Sequence, residues 1–257
     1  MTGVGMDFSG KAVLVTGAAR GLGKTIAAAF HGRGAQVMLN DLKRENIDQA
    51  IAELGGGDRL AATAADVSTV AGCESSVRAA LARFGRLDVL VNNAAINWEM
   101  PIAAHGEEIW DKHIDTILKG SFFCAKAAIP ALKTARGNIV NIASELGLHP
   151  IINNVAYCAA KGGVVNMTRA LAIELAPDIR VNCICPGAMD TELMQECARD
   201  SGDPEAYYRY YQNFNPLKHI AKPAEVAESV VFVASGVAGF MTGSIIAIDG
   251  GSTAGRL

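Results

Sequence analysis

Short aliphatic and β-branched runs alternate with helix-length stretches along the whole chain. The runs are Ala12–Thr16, Gln36–Asn40, Leu60–Ala64, Leu87–Asn92, Asn138–Ile142, Arg180–Ile184 and Ser244–Ile248. Their near-continuous apolar character suits strands buried on both faces of a parallel sheet, not one-sided antiparallel strands. The stretches between them, such as Leu22–Arg33, Val70–Phe84, Ile109–Thr134 and Ala156–Leu175, are long enough to be crossover helices. The pattern predicts an α/β fold: one doubly wound domain over 1–257, with about seven parallel strands flanked by helices. No linker, repeat or break in composition divides it.

One segment departs from the alternation. Between Met189 and Pro216 the chain reads SGDPEAYYRYYQNFNP, which sets Tyr207, Tyr208, Tyr210 and Tyr211 close to Phe214. Ligands in folds of this type sit beyond the carboxyl ends of the strands. An aromatic insertion after the sixth strand therefore reads as a substrate lid over about 189–216, with an amphipathic surface helix as the alternative.

Composition narrows the class. The 257 residues are half apolar and 19% charged, with a formal net charge of -3, which gives no electrostatic footprint for nucleic acid or an anionic membrane. Small molecules are the expected partners. The six cysteines (73, 124, 158, 183, 185 and 197) form no disulfide framework and no CxxC pair, and no Cys/His group has zinc spacing. They read as small buried side chains in a reducing compartment, with Cys183 and Cys185 on one side of their strand. No apolar run is long enough to span a membrane, and the N-terminus lacks a secretory pattern. A cytoplasmic protein without a metal is the expectation.

The first strand runs into TGAARGLGKT, with Gly17, Gly21 and Gly23. A glycine turn between strand and helix lets backbone amides approach a pyrophosphate at the helix N-terminus. The G-x-G-x-x-G fingerprint is absent, and a P-loop would need glycine where Ala18 stands. A dinucleotide turn, a phosphate loop and a purely structural turn remain open at this point. Asp41, at the end of the second strand, can bind the adenine-ribose hydroxyls and would repel a 2′-phosphate, so it favours NAD over NADP. Arg20, Lys43 and Arg44 weaken that preference. Asp41 can also be read as the cap of a helix over Leu42–Leu54.

Taken together, these features resemble the short-chain dehydrogenase/reductase family from about Lys11 to Gly251. TGAARGLG matches its TGxxxGxG turn, in which Arg20 and Leu22 lie between the glycines. Asp66-Val67 resembles its adenine-contacting pair, and Asn92-Asn93-Ala94-Ala95 resembles its NNAG segment. Tyr157 and Lys161 match YxxxK, with Ser144 standing 13 residues upstream, and Pro186-Gly187, Met189 and Thr191 resemble the stretch that holds the nicotinamide carboxamide. The resemblance implies a Rossmann-like NAD-binding dehydrogenase that interconverts a secondary alcohol and a ketone. It also implies a homotetramer in which helices at 109–134 and 154–176 pair across subunits.

In that chemistry the alcohol must lose its hydroxyl proton as hydride leaves, so a base must be within reach. A free tyrosine, with pKa about 10, is a poor base at neutral pH. Lys161, at i+4 on the same helix face, would stabilise the Tyr157 phenolate and lower its pKa, and the resemblance adds a hold on the ribose hydroxyls. Ser144 would hydrogen-bond the substrate oxygen. Trp98, Glu145, His149 and Tyr207 are candidate substrate contacts. One position departs from the family: Ile117 stands where an asparagine is thought to anchor a water linking the lysine to solvent. Thr116, Asn153 and Asn154 are candidates to rebuild that relay. Ile117 also keeps open the alternative of a non-catalytic or weakly active NAD-binding protein.

Overall fold

In the computed structural model, residues 6–255 are described; the reading of the first residues as carrying no secretory pattern falls partly outside them. Seven strands form a single parallel sheet: β1 (Ala12–Thr16), β2 (Gln36–Asp41), β3 (Leu60–Ala64), β4 (Val89–Asn92), β5 (Asn138–Ile142), β6 (Arg180–Pro186) and β7 (Ile245–Ile248). Their order, β3-β2-β1-β4-β5-β6-β7, reverses direction between β1 and β4. At such a switch point the two connections leave the sheet on opposite faces and open a crevice at the strand ends.

Helices cover both faces. On one side α1 (Gly21–His31), α2 (Arg44–Glu53) and α9 (Pro223–Ala234) bury Ile26, Phe30, Ile47 and Val230 against Val13, Val15, Val37 and Leu39. On the other, α3 (Val70–Phe84), α5 (Gly120–Ala135) and α6 (Val155–Leu175) pack Val77, Leu132 and Leu171 against Leu14, Leu90 and Ile139. Apolar side chains thus alternate between two cores along each central strand, as the continuous runs in the sequence require.

The expected helix Ile109–Thr134 is a composite. It consists of α4 (Glu107–His113), a wider π turn over Ile114–Lys119, and α5. A Cβ on Gly120 would lie 2.7 Å from the Val67 carbonyl oxygen, so the chain touches backbone at this junction. A π turn shifts the helical phase without interrupting the run of helix-forming residues, which is why the stretch reads as one helix in the sequence. The cap reading of Asp41 also fails: α2 begins at Arg44 with Lys43 as its cap.

Asp88 fixes the lower end of the switch point. Its carboxylate accepts from the Ala12 amide (2.9 Å), from Lys11 Nζ (3.1 Å) and from Arg86 Nε and Nη2 (both 2.7 Å). Burial works to raise its pKa, but Arg86, the Ala12 amide and Lys11 outweigh it and hold the group below the usual carboxylate range. Asp88→Ala is expected to cost about 1–3 kcal/mol in urea unfolding at neutral pH, because a buried amide loses its partner. A folded-state pKa below the unfolded one gives stability that is present at neutral pH and lost as acid protonates the group, so the difference should shrink toward low pH.

Candidate active site

The upper end of the switch point is built by glycine. Gly17 and Gly21 adopt left-handed φ values of 63° and 55°, where a side chain is strained. A Cβ on Gly23 would stand 2.1 Å from the Gly17 carbonyl oxygen, and one on Gly17 would stand 2.8 Å from Ala94 Cα. The turn is clamped from β4. Asn93 donates through Nδ2 to the carbonyls of Thr16 (2.9 Å) and Gly17 (3.0 Å), while the Thr16 hydroxyl accepts from the amides of Asn93 and Ala94. Thr16 and Asn93 therefore do structural work for the turn, a role that spacing alone does not disclose.

A cleft runs across the strand ends from this turn. Gly17, Arg20, Gly21, Leu22, Gly23, Asp41, Asp66, Val67, Asn93 and Ala94 line one half. Ser144, Tyr157, Lys161, Pro186, Gly187, Met189 and Thr191 line the other, so every residue expected at the cofactor meets in one cavity. The shape fits an extended dinucleotide: a cradle that a Cβ would fill at one end and a carboxylate beyond the second strand. Asp41 accepts from the Ala19 amide (3.1 Å) through one oxygen and from the Leu42 amide (2.8 Å) through the other. Arg20 is drawn away by Glu196 on α7 (Glu192–Asp200), with which it makes a two-pronged pair.

Ser144 caps a short 3-10 turn after β5, its oxygen accepting from the Leu146 amide at 3.1 Å. Tyr157 and Lys161 lie one turn apart on α6, with the ammonium 5.5 Å from the centre of the phenol ring. Lys161 is 2% exposed and donates to the Ile142 carbonyl at 2.8 Å. Burial pulls its pKa down to about 8, with opposing help from Cys183 and Cys185. Burial also pushes Tyr157 well above its ordinary value, the Ser144 hydroxyl acting in the other direction. In the ligand-free protein desolvation of the phenolate thus runs against the lowering expected from Lys161.

Ile117 is buried in an apolar cluster with Ala160, Val164, Cys183 and Cys185, against which Tyr157 packs. Its carbonyl accepts from the Ser121 hydroxyl at 2.6 Å. Of the three relay candidates, Thr116 alone lines the cleft. Asn154 is buried and accepts from Asn97 Nδ2 at 2.9 Å, and Asn153 sits in the loop before α6 with φ 64°.

A second cavity opens beside the first and shares Ser144, Tyr157, Gly187, Met189 and Thr191 with it. Glu145 and Tyr207 line it, as does Tyr211. The tyrosine-rich stretch forms α8 (Pro204–Phe214), capped by Asp203, whose carboxylate accepts from the Ala206 amide at 3.0 Å. Tyr207 and Tyr211 both donate to Glu99 Oε1, at 2.7 and 3.2 Å, which ties α8 to the loop after β4. Glu99 belongs to no motif in the sequence, although it is the sole charge in NNAAINWEMP.

Two candidate substrate contacts fall elsewhere. Trp98 packs edge-on against His113, with ring centres 5.4 Å apart, and does not line either cavity. His149 is exposed at the end of the turn after Ser144, because its amide closes that turn on the Glu145 carbonyl at 2.8 Å. His113 is fully buried, donates through Nδ1 to Ile109, and stands behind Tyr157. Glu145 is not solvated. It is 4% exposed, and burial raises its pKa to about 7, with Ser252 opposing and Asp249 adding to the rise.

A carboxyl with a folded-state pKa above the unfolded one costs stability once the pH exceeds the unfolded value, and most above the folded value. Glu145→Gln is expected to raise stability at pH 8 by up to about 3 kcal/mol, fading toward pH 4.5, as read by thermal melts across pH.

Residues 17–253 match the family model described as enoyl-(acyl carrier protein) reductase. An uncharacterised oxidoreductase of Thermotoga maritima is 39% identical over 97% of this chain and 100% of its own length. A meso-2,3-butanediol dehydrogenase of Serratia marcescens is 36% identical over 97% of each chain. The crystal structure of a Brucella melitensis protein, titled short-chain dehydrogenase/reductase SDR:glucose/ribitol dehydrogenase, superposes with a TM-score of 0.89 at 37% identity, covering 96% of this chain and 98% of that one.

Proposed function

We propose that this chain, which belongs to the short-chain dehydrogenase/reductase family, is an NAD-dependent oxidoreductase that interconverts a secondary alcohol and a ketone. The grouping of Ser144, Tyr157 and Lys161 around one cavity carries the reading. When bound, NAD supplies a hydride acceptor, or donor in reverse, at its nicotinamide. Ser144 donates a hydrogen bond to the substrate oxygen. Tyr157 takes the hydroxyl proton as the carbinol C–H bond breaks, and returns it in reduction. Lys161 holds a positive charge near the phenolate.

NAD is favoured over NADP because the Asp41 carboxylate, at the end of the second strand and lining the cleft, would repel a 2′-phosphate. Two of the three nearby cations are engaged: Arg20 pairs with Glu196 and Arg44 with Asp48. Met189 and Thr191, past β6, are assigned to the carboxamide side of the nicotinamide. The aromatic helix α8 is read as a lid over the substrate.

We also assign a cytoplasmic homotetramer. Phe240, Ile173, Phe122 and Trp110 are large apolar side chains left exposed, and two of them stand on the α4–α5 face. The non-catalytic alternative rests on Ile117 alone, and the intact triad speaks against it.

The test is NADH formation with NAD+ and a panel of cyclic and acyclic secondary alcohols. Turnover is expected, and Tyr157→Phe should abolish it while sparing NAD+ affinity; an active variant would overturn the acid–base role. Asp41→Ser is expected to lower the preference for NAD over NADP by about tenfold or more in kcat/KM, since it removes a charged hydrogen-bond acceptor. An unchanged preference would contradict the assignment.

A further inference from the structure

His113 stands fully buried at the end of α4, and the reaction as proposed makes no use of it. Both of its ring nitrogens face backbone groups. Nδ1 lies 2.8 Å from the Ile109 carbonyl oxygen, and Nε2 lies 3.4 Å from the Trp98 amide nitrogen. A carbonyl can only accept and an amide can only donate, so Nδ1 must carry the hydrogen and Nε2 the lone pair. The neutral imidazole is the one form that satisfies both partners. An imidazolium would set an N–H against the Trp98 N–H and bury a charge without a counter-ion. Burial holds the pKa of His113 below its ordinary value; the Ile109 carbonyl opposes the fall and His105 adds to it.

The same ring touches two aromatic side chains. Its centre is 5.4 Å from that of Trp98 and 6.5 Å from that of Tyr157, edge-on to each. One imidazole thus links the loop after β4 to the acid–base residue on α6. The neighbours of Trp98 on either side, Asn97 and Glu99, both line the cavity that Ser144 and Tyr157 share. Asn97 donates through Nδ2 to Asn154 Oδ1 at 2.9 Å, at the start of α6, and Glu99 accepts from Tyr207 and Tyr211 on α8. Between these two side-chain anchors, His113 holds the backbone itself.

Resting on the proposed acid–base role of Tyr157, we infer that His113 is a positioning residue for the reaction. Its Nε2 lone pair holds the Trp98 amide, and with it the stretch from Asn97 to Glu99, at a fixed distance from Tyr157. The wall of the substrate cavity and the group that takes the proton are thereby set against one another by a single buried ring. Loss of the acceptor loosens the wall and weakens alcohol binding, while the ring packing that supports Tyr157 is a separate contribution.

Two substitutions separate hydrogen bonding from packing. His113→Phe keeps a ring against Tyr157 and Trp98 but has no acceptor, whereas His113→Gln places an amide oxygen near the Nε2 position. With NAD+ and a secondary alcohol, His113→Phe is expected to raise KM for the alcohol about fivefold, the scale of one neutral hydrogen bond. Its kcat and NAD+ affinity should stay near those of the unsubstituted protein, and His113→Gln should recover most of the loss in KM. A purely packing role predicts the reverse order, with Phe near the unsubstituted protein and Gln impaired. That order, or an unchanged KM in His113→Phe, would overturn the inference while leaving alcohol oxidation standing.

Turnover of no alcohol would instead count against the proposed activity, and hydrogen–deuterium exchange at the Trp98 amide then decides the inference. Exchange should be about fivefold faster in His113→Phe than in the unsubstituted protein and intermediate in His113→Gln, with the amides of β1 unchanged. Equal rates in the unsubstituted protein and His113→Phe, or faster exchange that spreads to β1, refute it. Should neither variant fold, nitrogen NMR of the unsubstituted imidazole decides. A bare Nε2 and a protonated Nδ1 at neutral pH support the inference; the opposite tautomer or an imidazolium refutes it.

Discussion

The half-buried phenol of Tyr157 and the buried amine of Lys161 share one pocket, and that sets the chemistry of this protein. Desolvation pushes the phenol toward its protonated form and the amine toward its neutral form, leaving Lys161 near 8. Each group alone resists the charge that proton transfer needs. Together they resist less, because a phenolate and an ammonium one helical turn apart stabilise one another. A cationic ring bound in the same cleft would act in the same direction. The ligand-free site therefore favours a protonated Tyr157, the form that gives its proton in reduction, and a cation bound in the cleft favours the ionised form that oxidation needs.

The rest of the fold brings that pocket to the cofactor cleft. The switch point between β1 and β4 opens the crevice, and its two ends are fixed by different means. Asp88 ties the lower end by charge-assisted hydrogen bonds. At the upper end Asn93 and Thr16 clamp a turn so close-packed that Gly23 leaves no room for a methyl group. Helix α8 is secured separately, through Tyr207 and Tyr211 on Glu99.

Much of this was legible in the sequence. Buried parallel strands are continuous apolar runs, so all seven were found, with ends off by a residue or two as at Leu87 and Pro186. The ordered motifs located the cleft because a glycine turn, Asp41 and the YxxxK helix each have a local physical signature. Contacts between distant segments have none. Nothing near Glu145 in the sequence points to Ser252, and nothing near Tyr207 points to Glu99. Proximity along the chain points to Trp98 and His149 as substrate contacts, yet one folds onto His113 and the other faces outward. Spacing shows the i+4 lysine beside Tyr157, whereas the desolvation that raises the phenol depends on the whole pocket.

The most direct measurement is the ionisation of Tyr157 itself, read as the tyrosinate difference spectrum between the native protein and Tyr157→Phe over a pH titration. Without ligand, the Tyr157 signal should emerge only well above the ordinary tyrosine range. With NAD+ bound, it should move down toward neutrality. A Tyr157 that ionises at the same pH with and without NAD+ would contradict the account.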